Sequence, residues 1–95
     1  MSFLGRFRRN KVDPELQRRF LLRQSGRIGE ATILGIINDA EGNELLSYCY
    51  TVAGVDYETV QRFDEEQLNR KDYYLPGSRV ALRFDPRRPA NSLVV

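Results

Sequence analysis

Residues 45–63 read LLSYCYTVAGVDYETVQRF and contain the strongest fold signal in the chain. Two runs rich in β-branched and aromatic residues flank Ala53-Gly54, and glycine in a two-residue loop supplies the positive φ that a tight hairpin needs. The predicted register pairs Val52 with Val55, Tyr50 with Tyr57, and Tyr48 with Thr59. Because side chains alternate along a strand, Leu46 and these residues are expected to share one face and to start a core.

Turn signals and alternating runs on either side of this hairpin predict three more strands. They cover Arg27–Asn38, where two glycines indicate a bulge or bend, Ser78–Phe84, and Ser92–Val95 at the end. Asp85-Pro86-Arg87-Arg88-Pro89 reads as a turn, and Asp64 with Gln67 three residues later predicts a capping box. The predicted fold is mainly β: a small, partly open antiparallel barrel of about five strands. It has an N-terminal helix at 13–24 and a short helix between strands 3 and 4, in a single domain over 13–95.

The N-terminal helix is predicted from Asp13-Pro14-Glu15, which combines an N-cap, a first-turn proline and an acid near the helix N-terminus. Ser25-Gly26 is expected to end it. We expect the stripe of Leu16, Phe20, Leu21 and Leu22 to dock on the β core and the arginines to face solvent. The alternative is a basic amphipathic helix that binds phosphate or lipid.

Charge is divided unevenly along the chain. Residues 1–27 carry eight Arg or Lys against two acidic residues, a net of +6, whereas residues 28–95 carry seven against eleven, a net of −4. Residues 1–12 are expected to be a flexible basic arm. Candidate contacts with an anionic surface are Arg6, Arg8, Arg9, Lys11, Arg18, Arg19 and Arg23. Candidate membrane-inserting residues are Phe3, Leu4 and Phe7.

Catalytic chemistry is poorly represented in the sequence. The chain has no histidine and one cysteine, Cys49, so it lacks the usual general base, the histidine-activated nucleophiles and a Cys-rich zinc site. The acids Asp64, Glu65 and Glu66 have a simpler role in the first turn of a helix. We therefore expect no enzyme activity, no catalytic residue, no metal site and no cofactor.

Two segments together resemble a known bacterial family. Tyr50-Thr-Val-Ala-Gly-Val-Asp-Tyr57 and Pro76-Gly-Ser-Arg-Val-Ala-Leu-Arg-Phe-Asp-Pro-Arg-Arg-Pro89, followed by Asn91-Ser92, resemble the family named domain of unknown function 3592. The resemblance covers roughly residues 26–95. It implies a small β domain, often set between membrane helices, with no established activity and no catalytic residues to carry over. This chain departs from the family pattern because it has no flanking membrane span.

Two functions remain open at this point. The first is a non-catalytic interaction module that contacts a protein partner or an anionic membrane surface through its basic N-terminal segment. The alternative is OB-like binding of single-stranded nucleic acid, with Tyr48, Tyr50 and Tyr57 as stacking platforms. No apolar run approaches the ~20 residues of a membrane span, and the first residues lack a signal-peptide core. The expected location is the cytoplasm or the periphery of the inner membrane; the oligomeric state is open.

Overall fold

The structure, a computed structural model, describes residues 13–95. Eight elements follow one another along this part of the chain: α1 (Pro14–Ser25), β1 (Arg27–Asn38), β2 (Glu44–Val52), β3 (Val55–Arg62), α2 (Glu65–Leu68), a 3-10 turn (Lys71–Tyr74), β4 (Arg79–Asp85) and β5 (Arg88–Val94). The strands form one antiparallel sheet in the order β3-β2-β1-β4-β5, which curls into a nearly closed barrel. The predicted fold class is confirmed, including the helical segment between the third and fourth strands.

The central hairpin has the register that the sequence predicts. Tyr50 pairs with Tyr57 and Val52 with Val55 across the β2–β3 ladder. Both loop residues have positive φ, 52° at Ala53 and 81° at Gly54. A two-residue loop of this kind matches the right-handed twist of the flanking strands. Turn geometry and side-chain alternation therefore specify the same register.

The core lies inside the curled sheet and is contributed mainly by β1, β2 and β4. Its buried members are Ala31, Ile33, Leu46, Tyr48, Tyr50, Tyr74, Val80, Leu82, Phe84 and Val94. The rings of Tyr50 and Tyr57 stack with their centroids 5.2 Å apart, as predicted, although Tyr57 is only half-buried. Val55 is 51% exposed, so the predicted core face ends before the tip of the hairpin.

Two details of the strands differ from the expectation or refine it. A register shift between Ile33 and Gly35 in the β1–β2 ladder supplies the expected bulge. The last strand is longer than predicted, because β5 begins at Arg88 and the turn before it contains only Pro86 and Arg87. The end of the chain is held firmly in the sheet, since Leu93 and Val94 are fully buried.

The seam between the edge strands β3 and β5 is spanned by side chains. The Gln61 carboxamide donates to the Val94 carbonyl at 3.0 Å and accepts the Val94 N–H at 2.9 Å. Gln67 of α2 also donates to the Val94 carbonyl, at 2.9 Å. A carboxamide has the donor and acceptor of a peptide group, so Gln61 replaces the missing rung of a ladder. These bonds satisfy edge groups that would otherwise be buried without a partner.

Tyrosines inside the barrel reach the same strand from β2. The hydroxyls of Tyr48 and Ser92 lie 2.8 Å apart and hydrogen-bond to each other. The Tyr50 hydroxyl donates to the Pro89 carbonyl at 2.6 Å. β5 is thus fixed from within the barrel as well as along the seam.

Candidate functional site

Helix α1 forms as predicted but turns the opposite face toward the barrel. Asp13 caps it by accepting the Glu15 N–H at 2.9 Å, and the helix ends at Ser25. Of the leucine and phenylalanine stripe, only Leu22 is buried. The expectation that this stripe docks on the core is wrong for Leu16, Phe20 and Leu21, which are 63%, 59% and 50% exposed.

Arginines fix the orientation of α1. The Arg18 guanidinium donates to the Asn91 side chain at 2.9 Å and to the Ser92 carbonyl at 3.0 Å, both on β5. Arg19 is buried and donates to the Arg62 carbonyl at the end of β3, at 2.9 Å. Two adjacent arginines therefore bind the two edge strands on opposite sides of the seam. Since Arg19 is enclosed in this way, it is not available for the surface contact that the sequence suggested.

One carboxylate is shared by both of these arginines. Glu15 accepts from Arg18 at 2.9 Å and from Arg19 at 2.6 Å. The hydrogen bond from Arg18, reinforced by Arg19, lowers the pKa of Glu15 from 4.5 to about 2. Because Glu15 is occupied by the two inward arginines, the only acid between Pro14 and Ser25 is neutralised.

The outward side of α1 exposes Leu16 and Phe20, which line a groove together with two acids, Glu15 and Asp64, that are both paired with arginines. A helix advances about 100° per residue, so Leu16 and Phe20 lie side by side on this face, with Gln17 and Gln24 next to them. Leu21 lies on the flank toward the β4–β5 hairpin, where it lines a groove. A surface helix normally buries its apolar side chains against the core. In α1, Leu16 and Phe20 are instead exposed to solvent.

The other candidate contacts have separate positions. Arg23 is half-exposed and pairs with Asp64 at 3.0 Å. Asp64 also accepts the Gln67 N–H at 2.7 Å, which confirms the predicted capping box and accounts for this acid. Arg6, Arg8, Arg9, Lys11, Phe3, Leu4 and Phe7 lie outside the described residues.

The three tyrosines proposed as stacking platforms are mostly engaged inside the barrel. Tyr48 and Tyr50 are 1% and 5% exposed, and burial raises the pKa of Tyr48 to about 12. Burial also raises the pKa of Tyr50. Tyr57 is half-buried against Tyr50. The ring faces of Tyr48 and Tyr50 pack on core residues, so they leave no open face on which a nucleic-acid base could stack.

Cys49 lies on the sheet between Thr32 and Glu58, as a half-buried free thiol. Within residues 13–95, no helix is both long and apolar enough to cross a membrane.

Three comparisons, with protein-family models, with curated proteins and with solved structures, found no match to this chain. The resemblance to the domain of unknown function 3592 family therefore stays a prediction from the motifs.

Proposed function

We propose that this protein is a non-catalytic binding module that attaches peripherally to an anionic membrane surface through its N-terminal segment. The observation that supports this proposal is the orientation of α1, with Leu16 and Phe20 in solvent and Glu15 held by inward arginines. Exposed apolar side chains whose neighbouring acids are paired with arginines suit the boundary between headgroups and acyl chains.

The sequence immediately before α1 supplies the opposite charge to such a surface. Residues 1–12 contain four basic residues and no acidic one. Each Arg or Lys close to an anionic leaflet contributes ~1 kcal/mol of attraction. Electrostatic attraction by this segment and apolar contact by α1 would act together, since interfacial binding grows with both the apolar area buried and the attraction to anionic lipids.

Binding of single-stranded nucleic acid is the alternative, and it draws its support from the order of three strands, a helical segment and two strands. The burial of Tyr48 and Tyr50 does not favour it. The outer surface of β1–β3 is also lined by Glu30, Asp56 and Glu58, which would repel phosphates.

Vesicle sedimentation tests the proposal. The chain is expected to sediment with vesicles of phosphatidylglycerol and phosphatidylcholine in equal amounts, and not with phosphatidylcholine alone. Binding should be lost above about one molar salt, where screening shortens to ~3 Å. Replacing the four basic residues of 1–12 by glutamine should abolish it.

A matched pair of variants tests the apolar contact. Phe20→Ser is expected to weaken vesicle binding about tenfold, since an inserted side chain of this size contributes about 1.5–3 kcal/mol when fully buried. Val55→Ser removes a similarly exposed side chain at the far end of β3 from α1 and should leave binding unchanged. Retardation of single-stranded nucleic acid without vesicle binding would favour the alternative, and neither activity would point to a protein partner.

A further inference from the structure

A groove of about 630 Å³ separates α1 from the β4–β5 hairpin, and its outer rim is basic. The helix contributes Gln17, Arg18 and Leu21 to the lining, and the hairpin contributes Asp85, Arg87 and Arg88. Arg87 and Arg88 are both exposed, and over residues 13–95 neither forms a salt bridge. The groove therefore presents two guanidinium groups that are not engaged by a carboxylate.

The walls of the groove are held in place by contacts on both sides. Arg18 bonds to Asn91 and to the Ser92 carbonyl, which ties the middle of α1 to β5. At the end of the helix, Arg83 of β4 donates to the Gly26 carbonyl at 2.9 Å. A Cβ atom at Gly26 would lie 3.2 Å from the Cβ of Arg83 on β4 and 2.5 Å from the Leu22 carbonyl oxygen, so only glycine fits between the end of the helix and the strand. The separation of the two walls is thus fixed before any ligand binds.

The charge of the groove is positive. Glu15, which Arg18 shares with Arg19, lies outside the lining, and Asp85 is the acidic residue within it. Its carboxylate accepts the Arg87 backbone N–H at 2.9 Å, within the turn. Three arginines (Arg18, Arg87 and Arg88) against one aspartate give the lining a net charge of +2, part of which Glu15 offsets at Arg18, and Leu21 adds an apolar wall.

We infer that this groove binds the phosphate of an anionic lipid headgroup, with Arg87 and Arg88 as its ligands. A guanidinium group matches the geometry of phosphate oxygens, and two of them can bind one phosphate together. Leu21 would contact the acyl chains near the glycerol. A free phosphate has no apolar part for Leu21 to contact, so the apolar wall favours a lipid. The inference rests on the proposed function, because it places a headgroup beside the helix that meets the membrane.

Single-charge variants of the full chain test the assignment on the same vesicles. Arg87→Gln and Arg88→Gln are each expected to weaken binding about fivefold, and the double variant about 25-fold. Arg79→Gln is the control, since it removes the same charge at the opposite end of β4, where the side chain is 73% exposed and its pair with Glu30, at 3.7 Å, is open to solvent. Its effect should stay within about twofold, because screening reduces distant charges.

The outcomes separate this inference from the proposed function. If the unaltered chain binds vesicles and the single variants Arg87→Gln, Arg88→Gln and Arg79→Gln weaken binding equally, the groove is not a headgroup site although the proposed function stands. If the unaltered chain ignores anionic vesicles, both fail.

A second measurement identifies the source of the phosphate. Amide shifts of Leu21, Arg87 and Arg88 are expected to move on addition of short-chain phosphatidylglycerol, in the unaltered chain and not in the double variant. Inorganic phosphate should move them only weakly. Equal saturation by inorganic phosphate and by lipid would overturn the lipid assignment and make the groove a site for a phosphate-bearing solute.

Discussion

Replacing Gln61 by leucine is expected to open the barrel seam. The substitution keeps the side-chain volume similar but removes two hydrogen bonds, to the Val94 carbonyl at 3.0 Å and from the Val94 N–H at 2.9 Å. The carbonyl retains its bond from Gln67, whereas the buried N–H is left without a partner. A lost hydrogen bond costs about 1 kcal/mol and an unsatisfied buried donor about 1–3 kcal/mol, so we expect a loss of about 2–4 kcal/mol.

Urea unfolding at pH 7 measures this loss. With a slope of about 1.2 kcal/mol/M, typical of a small domain, the urea midpoint should fall by about 2–3 M. Hydrogen exchange adds a local readout, because the Val94 amide should lose protection before the β1 amides do. Gln24→Leu, on the exposed face of α1, is the matched control and should change stability by less than about 0.5 kcal/mol.

The acidic analogue Gln61→Glu makes the same argument testable by pH. Its carboxylate would face the Val94 carbonyl at pH 7, whereas the protonated carboxyl regains a donor, so the variant should recover stability relative to Gln61 as the pH falls toward about 4. An unchanged urea midpoint in Gln61→Leu, together with unchanged exchange at Val94, would refute the closure of the seam by these bonds.

Three further predictions concern single groups. Tyr74 is fully buried and its hydroxyl has no hydrogen-bond partner among residues 13–95, so Tyr74→Phe should leave stability in urea unchanged or raise it. Tyr48→Phe should instead cost about 1–2 kcal/mol, because it breaks the hydrogen bond to Ser92 across the barrel, and equal losses in the two variants would contradict this. Ala53 has a φ of 52°, which asparagine tolerates better, so Ala53→Asn should raise the thermal midpoint by about 4 °C, and no rise would count against the turn geometry. The pKa of Glu15 is lowered in the folded state from 4.5 to about 2, so its contribution to stability is present above pH 4.5 and is lost as the pH falls toward 2. Glu15→Gln should therefore reduce the dependence of the unfolding free energy on pH between 4.5 and 2. An unchanged dependence would show that the arginine pairs do not stabilise the fold.

The sequence by itself determined the local structure of this protein. The register of the central hairpin follows from Gly54 and from strict alternation on either side, both of which act within a few residues. The start of α1 at Asp13 and the capping box at Asp64 are local for the same reason: side chains satisfy N–H groups two or three residues away. The number of strands and the antiparallel fold class follow from these signals.

The tertiary structure decided which face of α1 is buried, and with it the candidate site. Leu16 and Phe20 mark one possible inner face, whereas Arg18 and Arg19 mark another, and periodicity does not choose between them. The choice depends on the Arg62 and Ser92 carbonyls, which lie 43 and 74 residues along the chain from the arginines that bind them. These carbonyls need donors because β3 and β5 are the two edge strands of a curled sheet, where neighbouring strands do not supply every hydrogen bond. Arginine can satisfy them because it carries five N–H donors on a long side chain. The apolar side chains are left outside as a consequence of that long-range requirement.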